Sequence, residues 1–326
     1  MTIPRISRRR VVAAAVLSPV IAAWPRLAGA QSATPANGDP LSVVATHSIL
    51  GDLVANVGGE AIALTTLVGP DGDTHTYEPI PADTITIAEA DLLFENGLGF
   101  ETWLDALYAS SGSTAERVVV TRDLIPLGFA GEGVAANEAP IASPVAGDEL
   151  DPHFWQDVAN SVSAVAVIRD ALAAADPANA DLYRANADAY LAQLDELDQY
   201  IVAETEQLPA DRRKLVTNHD AFGYFAYRYG YTIEGTALGS LSTEVADPSA
   251  AQIRSLVEAI QQTGAPAIFP ENIENAQLVE QIAREAGVTV GDPLYSDALG
   301  QPGTAGDTYL GMMRANIDAV VQALAA

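Results

Sequence analysis

A run of 29 residues without glycine or proline, residues 179–207, constrains the fold more than any other stretch of this chain. Its apolar residues recur at the three- and four-residue spacing that lines one face of an α-helix: Leu182, Ala185, Ala189, Leu191, Leu194, Leu197 and Ile201. At a rise of about 1.5 Å per residue, such a helix would be roughly 43 Å long. This is too long for an ordinary crossover between strands, so the sequence predicts one rigid helix that joins two lobes.

Strand-like and helix-like segments alternate on both sides of this run. Before it, we predict strands at 41–46, 61–68 and 91–96 and helices at 49–57, 81–90, 101–110 and 155–175. After it, we predict strands at 214–217, 231–236, 265–270 and 288–290 and helices at 220–229, from 248, at 275–286 and at 307–324. Such alternation is typical of βαβ units with parallel strands.

The predicted fold class is therefore α/β, with two similar Rossmann-like lobes whose sheets are mostly parallel. The N-terminal lobe would cover residues 41–178, the linker helix 179–207 and the C-terminal lobe 208–326. Each lobe is long enough to bury a core of its own. Residues 126–150 lack apolar periodicity and are rich in glycine, alanine, proline and acids, so we expect a long mobile loop there.

The first 30 residues have the pattern of an export signal. The basic stretch MTIPRISRRR precedes the apolar run VVAAAVLSPVIAA, and AGA at 28–30 fits a small-residue cleavage site. The stretch SRRRVV also resembles a twin-arginine signal, and an uncleaved N-terminal anchor is the alternative. We expect export, with residues 31–40 as a flexible lead-in. The sequence has no cysteine, so we expect neither a disulfide nor a lipid-anchoring cysteine.

The chain is strongly acidic. It has 43 acidic and 16 basic residues, with a net charge of −27, and Lys214 is its only lysine. Such a surface repels phosphate backbones and anionic lipids, so nucleic acid and anionic membranes are excluded as partners. Acidity is compatible with the capture of cations, although it is more often a solubility trait.

All four histidines lie at the ends of predicted elements. His47 follows the first strand and His75 lies in the loop after the second, while His153 precedes the helix at 155–175 and His219 follows the strand 214–217. Ligands of open α/β sheets bind outside the carboxyl ends of the strands, and imidazole is the most common metal ligand in proteins. The pattern predicts a metal site between the lobes.

A carboxylate of the second lobe would complete such a site. Asp297 follows the last predicted strand and a proline-containing turn, a position like that of His219 in its own unit. Glu271 and Asp292 meet the same criterion and are rival ligands. Three further acids lie within two residues of a histidine and are candidate hydrogen-bond acceptors for the metal-binding rings: Asp73, Asp151 and Asp220.

Four segments, in this order along the chain, resemble a known family: GDTHTYEPIPADTITIAEADLLFENGLGFETWLDAL, DPHFWQDVANSV, TNHDAFGYFAYRYGY and PLYSDALG. They look like the solute-binding proteins of zinc/manganese ABC importers (metal-binding cluster A-I type), and the resemblance extends from Leu41 to the C-terminal helix. It implies a metal held between two α/β lobes that a rigid helix bridges. It also implies one ligand from each segment: His75, His153, His219 and Asp297.

Three imidazoles and one carboxylate form a closed set of donors that suits Zn²⁺. The affinity order of divalent metals also places Zn²⁺ above Mn²⁺ for nitrogen ligands, and the resemblance implies that manganese-binding members carry Glu where His219 stands. Many zinc-specific relatives have a histidine-rich loop in the first lobe, whereas residues 126–150 contain no histidine. Zn²⁺ is therefore the first expectation, and Mn²⁺ or mixed specificity stays open.

A closed donor set leaves no position for a reactive water, and the sequence has no HExxH motif, so we expect a binding protein and not an enzyme. The expected partner is a membrane permease, and the chain is expected to be monomeric. A zinc hydrolase and an adhesin with an incidental metal site are the alternatives. His47 is interpreted as a wall residue of the cleft, because relatives often carry Phe or Asn near that position.

Overall fold

The computed structural model describes residues 39–129, 139–140 and 149–326. The predicted export signal at 1–30 lies outside these ranges. So do most of the predicted lead-in at 31–40 and most of the predicted loop at 126–150.

The first lobe is built on a parallel sheet with the strand order β2-β1-β3-β4. The strands are β1 (Leu41–His47), β2 (Ile62–Val68), β3 (Leu92–Glu95) and β4 (Glu116–Val119). The central strands β1 and β3 are largely buried, which explains their almost continuous apolar sequence. Helices α1 (Ser48–Gly58), α2 (Pro81–Ala88) and α3 (Leu104–Ser111) connect the strands.

Helix α4 (Val158–Ala175) starts three residues later than predicted. Residues 154–156 form a 3₁₀ turn, and the carboxylate of Asp157 then accepts a hydrogen bond from Ala159 N at 2.8 Å, which caps the helix. Among the described residues, α4 is the one helix long and apolar enough to cross a membrane, with a mean hydropathy of 1.4. Its residues Ile168 and Leu172 are fully buried in the core of the protein, so α4 acts as a core helix.

The linker helix is α5 (Ala180–Thr205), which has 26 residues and is therefore about 39 Å long. It packs against α1 and α4 of the first lobe and against α9 (Tyr309–Ala325) of the second. The predicted apolar face is wrong in part, because Ala185 and Ala189 are exposed. Tyr183, Ala187 and Tyr190 are buried instead. The two tyrosine rings bury far more apolar area than alanine methyl groups would, which favours the face of the helix that carries them.

The second lobe has four short strands and three connecting helices. The strands are β7 (Lys214–Thr217), β8 (Thr232–Thr236), β9 (Ala267–Ile268) and β10 (Thr289–Val290). The helices are α6 (Gly223–Tyr229), α7 (Ala250–Thr263) and α8 (Gln277–Ala286). Strand β7 pairs with β8 and β9 with β10, both in parallel. A hydrogen bond of 2.9 Å from Phe269 N to Val216 O connects the two pairs.

The predicted α/β class with mostly parallel sheets is confirmed. The strand pair β5 (Leu127–Gly128) and β6 (Ala139–Pro140) is antiparallel. The predicted strand at 265–270 is reduced to the two residues of β9. The domain boundaries stay predictions.

The largest hydrophobic core is shared between the lobes. Val43 of β1, Leu194 of α5 and Met312 of α9 all belong to it. Helix α9 returns to the first lobe, where the Tyr309 hydroxyl donates to Trp155 O at 2.6 Å. The expected core of each lobe is present as a smaller, separate cluster, and the long helix presents apolar side chains to the larger cluster that both lobes share.

Candidate metal centre

Four side chains predicted from the sequence converge at one buried point. The ligand atoms of His75, His153, His219 and Asp297 lie within 4.8 Å of one another. Asp297 Oδ2 is 3.1 Å from His219 Nε2 and 3.2 Å from His75 Nε2. The Nε2 atoms of His75 and His153 are 3.4 Å apart. His75 is 5% exposed and the other three residues are fully buried.

Each of these side chains is positioned by the end of a regular element. His75 lies in the loop between β2 and α2, and His153 directly precedes the 3₁₀ turn that leads into α4. His219 lies between β7 and α6, and Asp297 lies between β10 and α9. Loops at the carboxyl ends of the strands of both lobes therefore face the same cleft, as expected for open α/β sheets.

Glu271 positions His219 and is not part of the four-residue group. Its Oε2 atom accepts a hydrogen bond of 2.5 Å from His219 Nδ1, and its Oε1 atom accepts hydrogen bonds from Asn218 N and His219 N at 2.9 and 3.0 Å. With the Nδ1 proton held in this way, Nε2 faces the cluster. Asp292, the other rival ligand, is exposed.

Asp151 holds the ring of His153 in the same manner. Its Oδ1 atom accepts hydrogen bonds from His153 N at 2.8 Å and from His153 Nδ1 at 2.7 Å. Asp73 contacts the backbone of its histidine instead, since its Oδ1 atom accepts from His75 N at 2.9 Å. Asp220 does not hold a ring, and burial, together with the charge of Asp151, raises its pKa to about 7.

The pKa values of the clustered side chains shift in different ways in the two lobes. Burial by itself would lower the pKa of His219, but the carboxylates of Glu271 and Asp297 outweigh burial and hold that pKa well above its usual range. Burial would raise the pKa of Asp297, but His219 and His153 outweigh it and keep that pKa well below its usual range. The pKa of His75 is lowered, because burial outweighs its contact with Asp297. Without metal, the second lobe thus holds a buried ion pair.

His47 lies beside this cluster and outside the four-residue group. Its ring centroid is 5.2 Å from that of Phe100 and 5.3 Å from that of Trp155, and burial lowers its pKa to about 3. Phe100 also packs against His75, with the ring centroids 4.8 Å apart. His47 thus lies in an aromatic wall beside the cluster, and its role as a wall residue of the cleft stays a prediction.

Two residues that hold the cleft together were not predicted from the sequence. Asn272 accepts a hydrogen bond from Ser296 N at 3.2 Å and donates to Ala298 O at 3.2 Å, so it fixes the backbone on both sides of Asp297. Trp155 Nε1 donates to Ser296 O at 2.8 Å across the lobes. Asn272 lies in an irregular loop and no periodicity marks it, whereas Trp155 lies inside a segment that resembles the family.

Three imidazole nitrogens and a carboxylate oxygen form a donor set that binds divalent transition metals of intermediate softness. Two of the rings have acidic partners on their outer nitrogens, as metal-bound histidines usually do. This set of side chains therefore fits a divalent metal ion.

Comparison with known proteins identifies the family. The family model "Zinc-uptake complex component A periplasmic" matches residues 43–323. The manganese-binding lipoprotein MntA of Halalkalibacterium halodurans is 33% identical over 292 residues, which cover 89% of this chain and 91% of that protein. The zinc-binding protein TroA of Treponema pallidum is 34% identical over 323 residues, which cover 98% of this chain and 99% of that protein.

Solved structures agree with these matches. The periplasmic zinc-binding protein TroA superposes with a TM-score of 0.77 and 34% identity, covering 88% of this chain and 99% of that chain. A manganese-bound periplasmic metal-binding protein from Candidatus Liberibacter asiaticus has a TM-score of 0.73 and 26% identity, covering 86% of this chain and 98% of that chain. The two-lobed fold with a helical linker is thus shared. The chain belongs to the family of periplasmic metal-binding proteins that serve zinc and manganese ABC importers.

Proposed function

We propose that this protein captures Zn²⁺ between its two lobes, through His75, His153, His219 and Asp297, and delivers the ion to the permease of an ABC importer. The observation that carries the proposal is the convergence of these four buried side chains within 4.8 Å. The family consists of substrate-binding transport proteins and not of enzymes, so the prediction of a binding protein is confirmed. The four ligands, the choice of metal and the export of this chain are proposals.

The donor set supports Zn²⁺ over Mn²⁺. Three of the four donors are imidazole nitrogens, whereas Mn²⁺ is better served by carboxylate, carbonyl and water oxygens. Glu271, a buried carboxylate beside the cluster, is engaged by the Nδ1 atom of His219 and by two backbone N–H groups. Glu271 is therefore held away from a position in which it could add oxygen ligands to the ion.

Manganese is the second candidate, and the relatives are the observation that favours it. MntA is named for manganese and TroA for zinc, at similar identities to this chain. A higher-coordinate ion could use both oxygens of Asp297, since Oδ1 has no hydrogen-bond partner among the described residues.

Competition between the two metals tests the proposal. The purified full chain is exposed to equal concentrations of Zn²⁺ and Mn²⁺, and the bound metal is quantified by mass spectrometry. We expect one Zn²⁺ per chain, loss of that ion in His219→Ala, and retention in Asp292→Asn, which changes an exposed carboxylate outside the cluster. Preferential loading of Mn²⁺ would contradict the choice of metal, and unchanged zinc affinity in His219→Ala would contradict the site.

A further inference from the structure

The loop that carries His75 borders solvent, and it holds the one candidate ligand of the four that is not fully buried. In this loop, between β2 and α2, several residues are exposed: Pro70, Asp71, Thr76, Glu78 and Ile80. His75 itself is 5% exposed, and the other three ligands are at 0%. Since all four ligands are buried, an ion leaves only if a ligand-bearing segment moves.

The second lobe holds this loop from two sides. On the side of Asp297, Asp71 N of the loop donates to Leu299 O at 2.8 Å. On the same side, Asn272 Nδ2 donates to Asp71 Oδ1 at 3.0 Å. On the other side, the Thr243 hydroxyl donates to Asp73 Oδ2 at 2.6 Å. Asp73 Oδ1 accepts the hydrogen bond from His75 N. One carboxylate therefore connects the backbone of a ligand in the first lobe to a hydroxyl of the second lobe.

Thr243 lies in the segment between β8 and α7, which supplies none of the four ligands. The side chain is buried, with 8% exposure. The same segment is bonded to the backbone around His219, since Leu238 N donates to Asn218 O and Asp220 N donates to Ser240 O, both at 2.8 Å. The contact between Thr243 and Asp73 thus joins the surroundings of His219 to those of His75.

We propose that Thr243 is a positioning residue that sets the rate at which the metal ion leaves, by holding the His75 loop closed across the two lobes. The inference rests on the proposed function and adds to it the control of release. A hydrogen bond from a hydroxyl to a carboxylate is short and stronger than a neutral one. Its two partners belong to different lobes, so the bond must break whenever the loop moves away from the second lobe.

The experiment measures the release of Zn²⁺ from the loaded full chain into an excess of chelator, by stopped flow. Thr243→Val keeps the shape of the side chain and removes the hydroxyl, and we expect release to become roughly tenfold faster. Thr243→Ala serves as a second variant with the same expectation, and Thr243→Ser, which keeps the hydroxyl, should release at close to the wild-type rate. Ser242→Ala is the matched control, since Ser242 Oγ accepts from Glu244 N within the same segment.

The outcomes separate this inference from the proposed function. Faster release in Thr243→Val and Thr243→Ala, with wild-type rates in Thr243→Ser and Ser242→Ala, supports the inference. Equal rates in all of these proteins overturn it and leave the zinc site intact. Equally fast release in Ser242→Ala also overturns it, because the effect would then come from damage to the segment. A wild-type protein that binds no Zn²⁺ overturns the proposed function together with the inference.

Discussion

His219 and His75 both face Asp297, yet the chain holds them by different means. The ring and the backbone of His219 are fixed by one buried carboxylate, Glu271, and its Nε2 atom already contacts Asp297. His75 is held through its backbone by Asp73, in a loop that depends on contacts with the opposite lobe. His219 is thus held by contacts within its own lobe, whereas the position of His75 depends on contacts between the lobes.

The hydrophobic cluster that both lobes share restricts the movement of one lobe relative to the other. Helices α5 and α9 join both lobes in one hydrophobic cluster, and close-packed interiors resist deformation. We infer that wide separation of the lobes is disfavoured and that release depends on the ligand loops. The sequence predicts a rigid helix between the lobes, and the shared hydrophobic cluster is a second restraint on their movement.

Replacing His219 and His75 one at a time should give the largest effects and show most clearly how the two residues differ. His219→Ala and His75→Ala should each weaken metal binding by more than about a hundredfold. His219→Ala should also lower the free energy of unfolding of the metal-free protein by about 3 kcal/mol, because it leaves the buried Glu271 and Asp297 without their cation. Binding titrations and denaturant unfolding measure both effects. An equal loss of stability in His75→Ala would contradict the distinction between a charged His219 and a neutral His75.

Glu271→Gln should weaken zinc binding by about tenfold to a hundredfold, the usual effect of losing the partner that orients a metal-bound histidine. The amide keeps the size of the side chain and loses the negative charge that stabilises His219. Calorimetric titration measures the change, and Asp292→Asn is the control on an exposed acid of the same lobe. Identical affinities in the two variants would show that Glu271 does not position the ligand.

The raised pKa of His219 predicts opposite pH dependences for the zinc affinity and for the stability of the metal-free protein. Zn²⁺ must displace a proton from His219, so its affinity should rise by up to about tenfold per pH unit as pH increases above the ordinary value of about 6.5. The stability that the protonated ring gives the metal-free protein is complete below that value, and it is lost as pH rises through the raised pKa.

Zinc affinity and metal-free unfolding, both measured between pH 6 and 9, check this prediction. Histidines with ordinary pKa values would lose the metal as pH falls below about 6, and the carboxylates around His219 move this window upward. Zinc affinity that is independent of pH above 6.5 would show that His219 is not protonated in the metal-free protein.

His47→Asn should have the smallest effect, with zinc affinity within about threefold of the wild type. The imidazole is neutral, because burial lowers its pKa to about 3, and it lies outside the four-residue group. Such small changes are typical of substitutions that remove no ligand and no charge. A loss comparable to that in His75→Ala would make His47 a fifth ligand.

The sequence was sufficient for most of the elements and for the three converging histidines, because periodicity and the places of the histidines at element ends are local features. The family resemblance, and not a local pattern, favoured Asp297. Local patterns were not sufficient to choose between Asp297 and Glu271, which lie at equivalent places after their strands and differ only in where their side chains point. Neither could the helical spacing show that Tyr183 and Tyr190, and not Ala185 and Ala189, face the core. The contact of Thr243 with Asp73 joins residues 170 positions apart, which no local pattern reveals.

A crystal structure of the zinc-loaded protein, with anomalous scattering recorded at the zinc edge, tests the central claim most directly. We expect a single ion bound by Nε2 of His75, His153 and His219 and by the carboxylate of Asp297, with Glu271 still bonded to Nδ1 of His219. An ion that is bound elsewhere, or bound without one of these four residues, would contradict it.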